Sequence, residues 1–579
     1  MFSMRATLLG LVYSLAAACG PAHHTGQDDA TAVLTIDPPS SELTITNAVP
    51  VTEDFTATLT YTDGTTKDVT AATNFAVDYG GNFSQHTLTA LGAGKLDVSA
   101  SYSAKAASAT VIVHANGVRI DPTLPSNTQD LFNGPEVAAL APTVVYPPPA
   151  VVMPRNLGDF EIHWTDSSSN DIFEISLHTD LSDVRVYVPG GNGMPAAGPG
   201  AGWSAFLATE WQAAVGTEDT VTYQVRAVNS ANPGAGVGAG PPRLVKLSTE
   251  AMNGGIYYWA SAGTTSPEGI WRHDMAKPGL PAEQYMTVAQ TNGRCVACHV
   301  ISRDGTKMAI TYDGGNGNAN MIDVGTKALA VEANKWNFGS FTPDGAQYLS
   351  VFDGALVVRD YATQAILGTM PATGTDKVTH PDVSADGTMI TYTRVPAASY
   401  GADWHFGNGE IVVRPYDQAT ATFGAERILV TDANNNYYPS FSPDGTYVLF
   451  NKSSDNSSNG AYNNPSATVW VAKTDGTGSP VELATLDAAI GTTNSWARWA
   501  PFKQTVGVDP IYWITTSSQR DFGTRIVGLS RPQIWMTAFS PAAVEAATDP
   551  SSPTFRLPFQ NLDSNNHIAQ WTEQIVVTQ

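Results

Sequence analysis

The chain has 579 residues, 51 of them Gly and 37 Pro, and only 14% are charged, against roughly 25% in an average globular protein. That length exceeds one ordinary domain, and the composition favours many short strands and turns. A formal net charge of -23 repels nucleic acid and anionic headgroups and argues against a nucleic-acid partner, while three cysteines leave no disulfide framework to propose.

The N-terminus carries Arg5, then the apolar run Ala6 to Leu15, then small residues up to Cys19. Residues 1-18 read as a secretory signal, since the run is too short to cross a bilayer and ends in small side chains. No other stretch is apolar and long enough to span. Ala16-Ala17-Ala18-Cys19-Gly20 resembles a bacterial lipobox, with Ala16 where such lipoproteins usually have Leu. The resemblance implies lipidation of Cys19, membrane contact through acyl chains alone, and an outer-membrane destination, because no Asp follows the Cys. Residues 19-31 then form a lipidated polar tether.

From 32 to 115 the chain alternates with period two, as in Phe55-Thr56-Ala57-Thr58-Leu59-Thr60-Tyr61 ahead of a turn at Asp63-Gly64. This pattern is similar to bacterial Ig-like domains of group 2, which implies a small β-sandwich acting as a spacer. A Pro-rich linker, 116-156, leads into a second β unit, 157-249. There the strands Phe160 to Trp164 and Tyr223 to Val228 resemble the B and F strands of a fibronectin type III sandwich. His163 and His178 lie in these strand patterns without a partner cluster and read as ordinary surface or half-buried residues.

Arg294-Cys295-Val296-Ala297-Cys298-His299 is a Cys-x-x-Cys-His signature, the attachment pattern of a c-type haem. Cys295 and Cys298 supply thioethers and His299 is placed to bind iron on the proximal side. The alternatives for the two thiols are a disulfide or half of a zinc site. No alternating strand-helix pattern surrounds them, as a redox motif would require, and no second Cys pair is present for zinc.

The signature runs directly into a repeat. Ser302-Arg303-Asp304-Gly305, Thr342-Pro343-Asp344-Gly345, Ser384-Ala385-Asp386-Gly387 and Ser442-Pro443-Asp444-Gly445 recur at intervals of 40, 42 and 58 residues, each between strand patterns. This is the pattern of Tol-type (WD-like) β-propeller repeats, and the resemblance implies a propeller over 250-579. Trp496 to Phe502 occupies the same place in a degenerate blade without Asp-Gly. Gly255 to Trp259 and Gly269 to His273 read as the outer two strands of a closing blade, with His567 to Trp571 and Glu573 to Val577 as its inner two. The expected architecture is therefore all-β: two sandwiches and a six-bladed propeller, or seven blades if Phe522 to Phe555 forms its own sheet.

In such a propeller the signature lies in the loop entering a blade, and haem caps that face. The distal ligand is sought on the same face: His380 first, with His567 and His405 as alternatives, while Met286 and Met308 fit packing better. Asp313 to Asn318 lacks the bidentate Glu of a calcium loop and reads as a turn. Three readings of function follow. One is a monohaem electron carrier with a redox partner protein; another is a binding propeller in which haem is structural or sensory. A haem oxidoreductase with an open sixth position is a third.

Overall fold

The computed structural model describes residues 31-190, 201-261, 263, 267-312, 318-333, 335-457, 461, 464-488, 492-528 and 531-577. The signal segment, Cys19 and all but the last residue of the tether lie outside the described residues, as does Asp313 to Gly317. No helix among the described residues is long and apolar enough to cross a membrane.

The architecture is all-β. In the N-terminal part, strand Gly94–Tyr102 buries every second side chain, as period-two alternation of Leu96, Val98 and Ala100 demands. It pairs antiparallel with the 16-residue strand Lys105–Ile120, whose far end pairs in parallel with Ser182–Pro189. One ten-stranded sheet thus runs through both expected sandwiches. The stretch read as a linker is in part structured: Asn116 to Ile120 belong to that strand, and Thr143–Tyr146 pairs with Glu161–Asp166.

The second unit is fused to the propeller through a shared core that includes Tyr146, Phe160, Trp164, Trp513, Phe522 and Trp535. His163, expected to be ordinary, is fully buried at this junction. Its Nδ1 accepts the Thr524 N–H at 3.1 Å, and its Nε2 lies 2.8 Å from Glu161, which pairs with Arg525 at 2.9 Å. The alternation that hid it in the sequence says which face a strand residue takes, not what covers that face.

Six blades follow. Their inner strands are Val296–Ile301, Phe338–Phe341, Lys377–Val383, Asn435–Phe441, Ser495–Val506 and Asn565–Thr572. Closure differs from the expected two-plus-two. Asn565–Thr572 alone supplies the inner strand, and Gly255–Ser261, Gly269–Asp274 and Glu283–Thr287 complete the sheet. After Thr572 the chain crosses to the neighbouring blade, where the Glu573 N–H donates to the Arg303 carbonyl at 2.8 Å. The segment from Phe522 does not form a seventh blade, since Gln533–Phe539 and Phe555–Arg556 are the outer strands of the sheet begun by Ser495–Val506.

The four repeated turns have one design. Each Asp Oδ1 accepts the hydroxyl two residues before it, at 2.6 to 2.7 Å, and the N–H two residues after it, at 3.0 to 3.2 Å. The Gly that follows takes φ of +65° to +74°, open to it without a Cβ. At Asp304, Asp344 and Asp444 burial acts to raise the carboxyl pKa, yet these hydrogen bonds outweigh it; at Asp386 the Ser384 hydroxyl is itself the largest influence. All four are held below 3.8, so their stabilisation is complete above that value and is lost as pH falls through the depressed pKa values. Thermal melts will therefore show Tm dropping below about pH 4, and dropping less in an Asp386→Asn, Asp444→Asn double variant, in which two of the four turns no longer titrate. Identical acid profiles for the two proteins would refute this.

Candidate functional site

Seven residues before each turn glycine stand Cys298, Phe338, His380 and Tyr438. They meet at one level of the channel, with Trp496 and Ile568 from the two inner strands that lack the turn motif. The rings of Phe338 and His380 lie 4.2 Å apart, those of His380 and Tyr438 4.2 Å, and those of Tyr438 and Trp496 4.8 Å, so the channel is closed by an aromatic plug. His380, Tyr438, Trp496 and Ile568 hold φ of +50° to +58°, each at a register shift in its strand. For non-glycine residues, and above all a β-branched Ile, this conformation is costly and survives where packing over-determines it.

The Cys-x-x-Cys-His signature enters the plug from one blade. Rather than lying wholly in a loop, it runs into the inner strand: Val296 pairs with Tyr312 and His299 with Ile310, with a bulge at Ala297 and Cys298. Both thiols are unbridged. Cys295 Sγ lies 2.6 Å from the Glu268 carboxylate, on the face opposite the Asp-Gly turns. Cys298 packs against the plug, and burial raises its thiol pKa although the Thr311 hydroxyl acts the other way. His299 is buried at 1% exposure.

The three other histidines are placed differently. His380 is the plug residue of its blade, the counterpart of Cys298 rather than of His299. Its Nδ1 accepts the Tyr438 N–H at 3.4 Å, and its Nε2 is buried without a hydrogen-bond partner. Burial first, then the Arg498 charge, lowers its pKa far below the ordinary value. His567 is on the inner strand next to that of His299, its ring tilted against Trp259 with centroids 4.6 Å apart, and burial pushes its pKa down to about 3, with the nearby His299 adding to the effect. His405 is half-buried in the hairpin Tyr400–Ala402, His405–Phe406, inserted ahead of strand Glu410–Asp417. Met286 and Met308 are buried strand residues, as packing predicts.

Sequence reading missed two features. Asp403, buried in the same hairpin, accepts from Asn337 Nδ2 (2.7 Å), the Asp353 and Gly354 N–H groups (3.0 and 2.8 Å) and the Tyr400 hydroxyl (2.5 Å). Below the plug, toward the turn face, lies a cavity of about 150 Å³ lined by Ser340, Asp382, Ser440, Arg498 and Gln570. Counting five residues back from each turn glycine would have found Ser340, Asp382 and Ser440.

The donor set fits a covalently attached haem: two unbridged thiols three residues apart and an imidazole beside the second. The channel does not hold one, since about 150 Å³ falls well short of the roughly 300–1,000 Å³ of a typical cofactor pocket. Among the described residues no group of three His, Cys, Asp or Glu side chains is arranged to hold a bare metal ion.

No family model matches the chain, and no curated protein matches it. Among solved structures it is similar to a putative TolB from Agrobacterium tumefaciens, with 14% identity and a TM-score of 0.31 over 55% of this chain and 98% of that one. TolB from Acinetobacter baumannii shows 14% identity and a TM-score of 0.37 over 61% and 79%. The dihydro-heme d1 dehydrogenase NirN, in complex with DHE, shows 12% identity and a TM-score of 0.30 over 52% and 53%. The propeller itself is given by the six sheets.

Proposed function

We propose that the chain is an exported monohaem c-type cytochrome on a propeller, a carrier of single electrons at the cell envelope. The observation that carries this reading is the unbridged thiol pair with its adjacent imidazole, set at the start of an inner strand. When bound, haem supplies reversible one-electron exchange. Cys295 and Cys298 hold it covalently on the loop side of the plug, and His299 is the proximal ligand. Lipid on Cys19 keeps the protein at the outer membrane, and a redox partner protein meets it on the loop face near Cys295.

For the sixth position the reading favours His567 over His380. A ring nitrogen that accepts a backbone N–H leaves the proton of a neutral imidazole on the other nitrogen, so His380 Nε2 carries a hydrogen where a metal ligand needs a lone pair. His567 stands on the strand beside His299 and is held in orientation by Trp259.

Spectra of the protein made with a c-type maturation system test this. The wild type is expected to be low-spin in both oxidation states. His567→Ala will turn the oxidised form high-spin and let cyanide and carbon monoxide bind, while His380→Ala and His405→Ala leave the spectrum nearly unchanged. Conversion by His380→Ala alone moves the ligand there. A wild type that is already high-spin replaces the carrier with a haem oxidoreductase or sensor.

A further inference from the structure

The inner strands place one residue per blade around the cavity under the plug: Val300, Ser340, Asp382, Ser440, Arg498 and Gln570. Five of the six are polar, and each is paired across its sheet. Arg498 spends Nη1 on the carbonyls of Tyr438 (3.3 Å) and Ala497 (3.0 Å) and lies over the Trp496 ring at 4.8 Å. Its Nε and Nη2 make no protein hydrogen bond among the described residues. Asp382 accepts the Ser340 hydroxyl at 3.2 Å and the Phe441 N–H at 2.8 Å, which leaves lone pairs on both oxygens. Asp382 and Arg498 are separated round the ring by Ser440 and act on each other electrostatically without forming an ion pair.

A guanidinium and a carboxylate, both half-buried and facing one small space without closing on each other, present the two opposite charges that a ligand carrying both signs would answer. An anion alone would be repelled by Asp382, and a cation alone by Arg498. The volume of about 150 Å³ equals roughly five waters, the scale of a small organic molecule. We propose that this ring binds a small zwitterion of the α-amino-acid class, entering from the turn face, with its carboxylate on the free edge of Arg498 and its ammonium on Asp382. Ser440 and Gln570 supply further hydrogen bonds, and a short side chain meets the aromatic wall of Phe441 and Trp499. Cys298 and His299 also stand on the cavity wall, so the site borders the thiol pair.

Calorimetric titration of the full chain with glycine, alanine, acetate and methylammonium tests the proposal. Glycine or alanine will give a saturable heat, and acetate and methylammonium, each carrying half of the zwitterion, will bind at least about tenfold more weakly, a difference of about 1.4 kcal/mol. Arg498→Gln and Asp382→Asn will each weaken alanine binding by at least about tenfold at unchanged Tm. No saturable heat with either amino acid means the ring holds water only and overturns the proposal. Acetate binding as tightly as alanine overturns it as well, as does a folded Arg498→Gln protein that binds normally. If a variant does not fold, the wild-type comparison of alanine with its two halves decides alone.

Discussion

On the proposed thioether attachment, Cys298→Ala is expected to strip the chain of most of its haem. Wild-type protein produced with a c-type maturation system will keep haem through denaturing electrophoresis, because thioethers survive detergent and heat. In the variant, haem stain in the protein band will fall at least about tenfold, since a single remaining thioether at Cys295 must form without the second anchor. Cys298 packs against Phe338, Tyr438 and Trp496, so Cys298→Ser, which keeps the volume, separates loss of the bond from disturbance of the plug. Both variants are expected to lose haem, and Cys298→Ser to keep the wild-type Tm. A wild type that runs haem-free despite the maturation system, or a variant that stains like it, would remove the central claim.

The second large effect belongs to Asp403. Its carboxylate is 1% exposed and receives four donors from three separate parts of the chain. Asp403→Ala leaves Asn337 Nδ2, the Tyr400 hydroxyl and two backbone N–H groups without an acceptor. At about 1–3 kcal/mol for each donor left dry, and with some rescued by water, the loss is on the order of 4 kcal/mol. Hydrogen exchange at Asp353 and Gly354 reads this directly: both amides should exchange at least about a hundredfold faster, and the hairpin around His405 should open with them. Exchange rates within threefold of wild type would show that the hairpin is held by something else.

How far the sequence reaches can be followed through these residues. The Asp-Gly turns were readable because their chemistry is local: a hydroxyl, a carboxylate and a glycine within four positions specify the geometry. The signature was readable for the same reason. Closure escapes the sequence pattern because Glu573 to Val577 has apolar residues in an acceptable strand pattern, yet Ile575 and Val576 pack on the hydrophobic cluster shared with the neighbouring blade and form no strand. His380 and His299 looked equivalent by proximity to their strands, but the offset from the turn glycine makes His380 the partner of Cys298. Asp403 could not be found at all, since its donors come from residues 337, 353, 354 and 400, and only the fold assembles them.

The strand Lys105–Ile120 has a mechanical consequence. At about 3.3 Å per residue it is a spar of roughly 50 Å, gripped along its first half by Gly94–Tyr102, across its middle by Ser40–Thr46 and along its end by Ser182–Pro189. Bending between the two sandwiches would have to shear hydrogen bonds along this overlap, whereas a Gly/Ser linker of equal length would flex freely. With the second sandwich fused to the propeller, thermal motion cannot swing the blades through a wide search volume. The distance and tilt of the propeller's faces from the N-terminal sandwich are therefore already set, so what those faces can reach is governed by where the rod points rather than by how far a tether wanders.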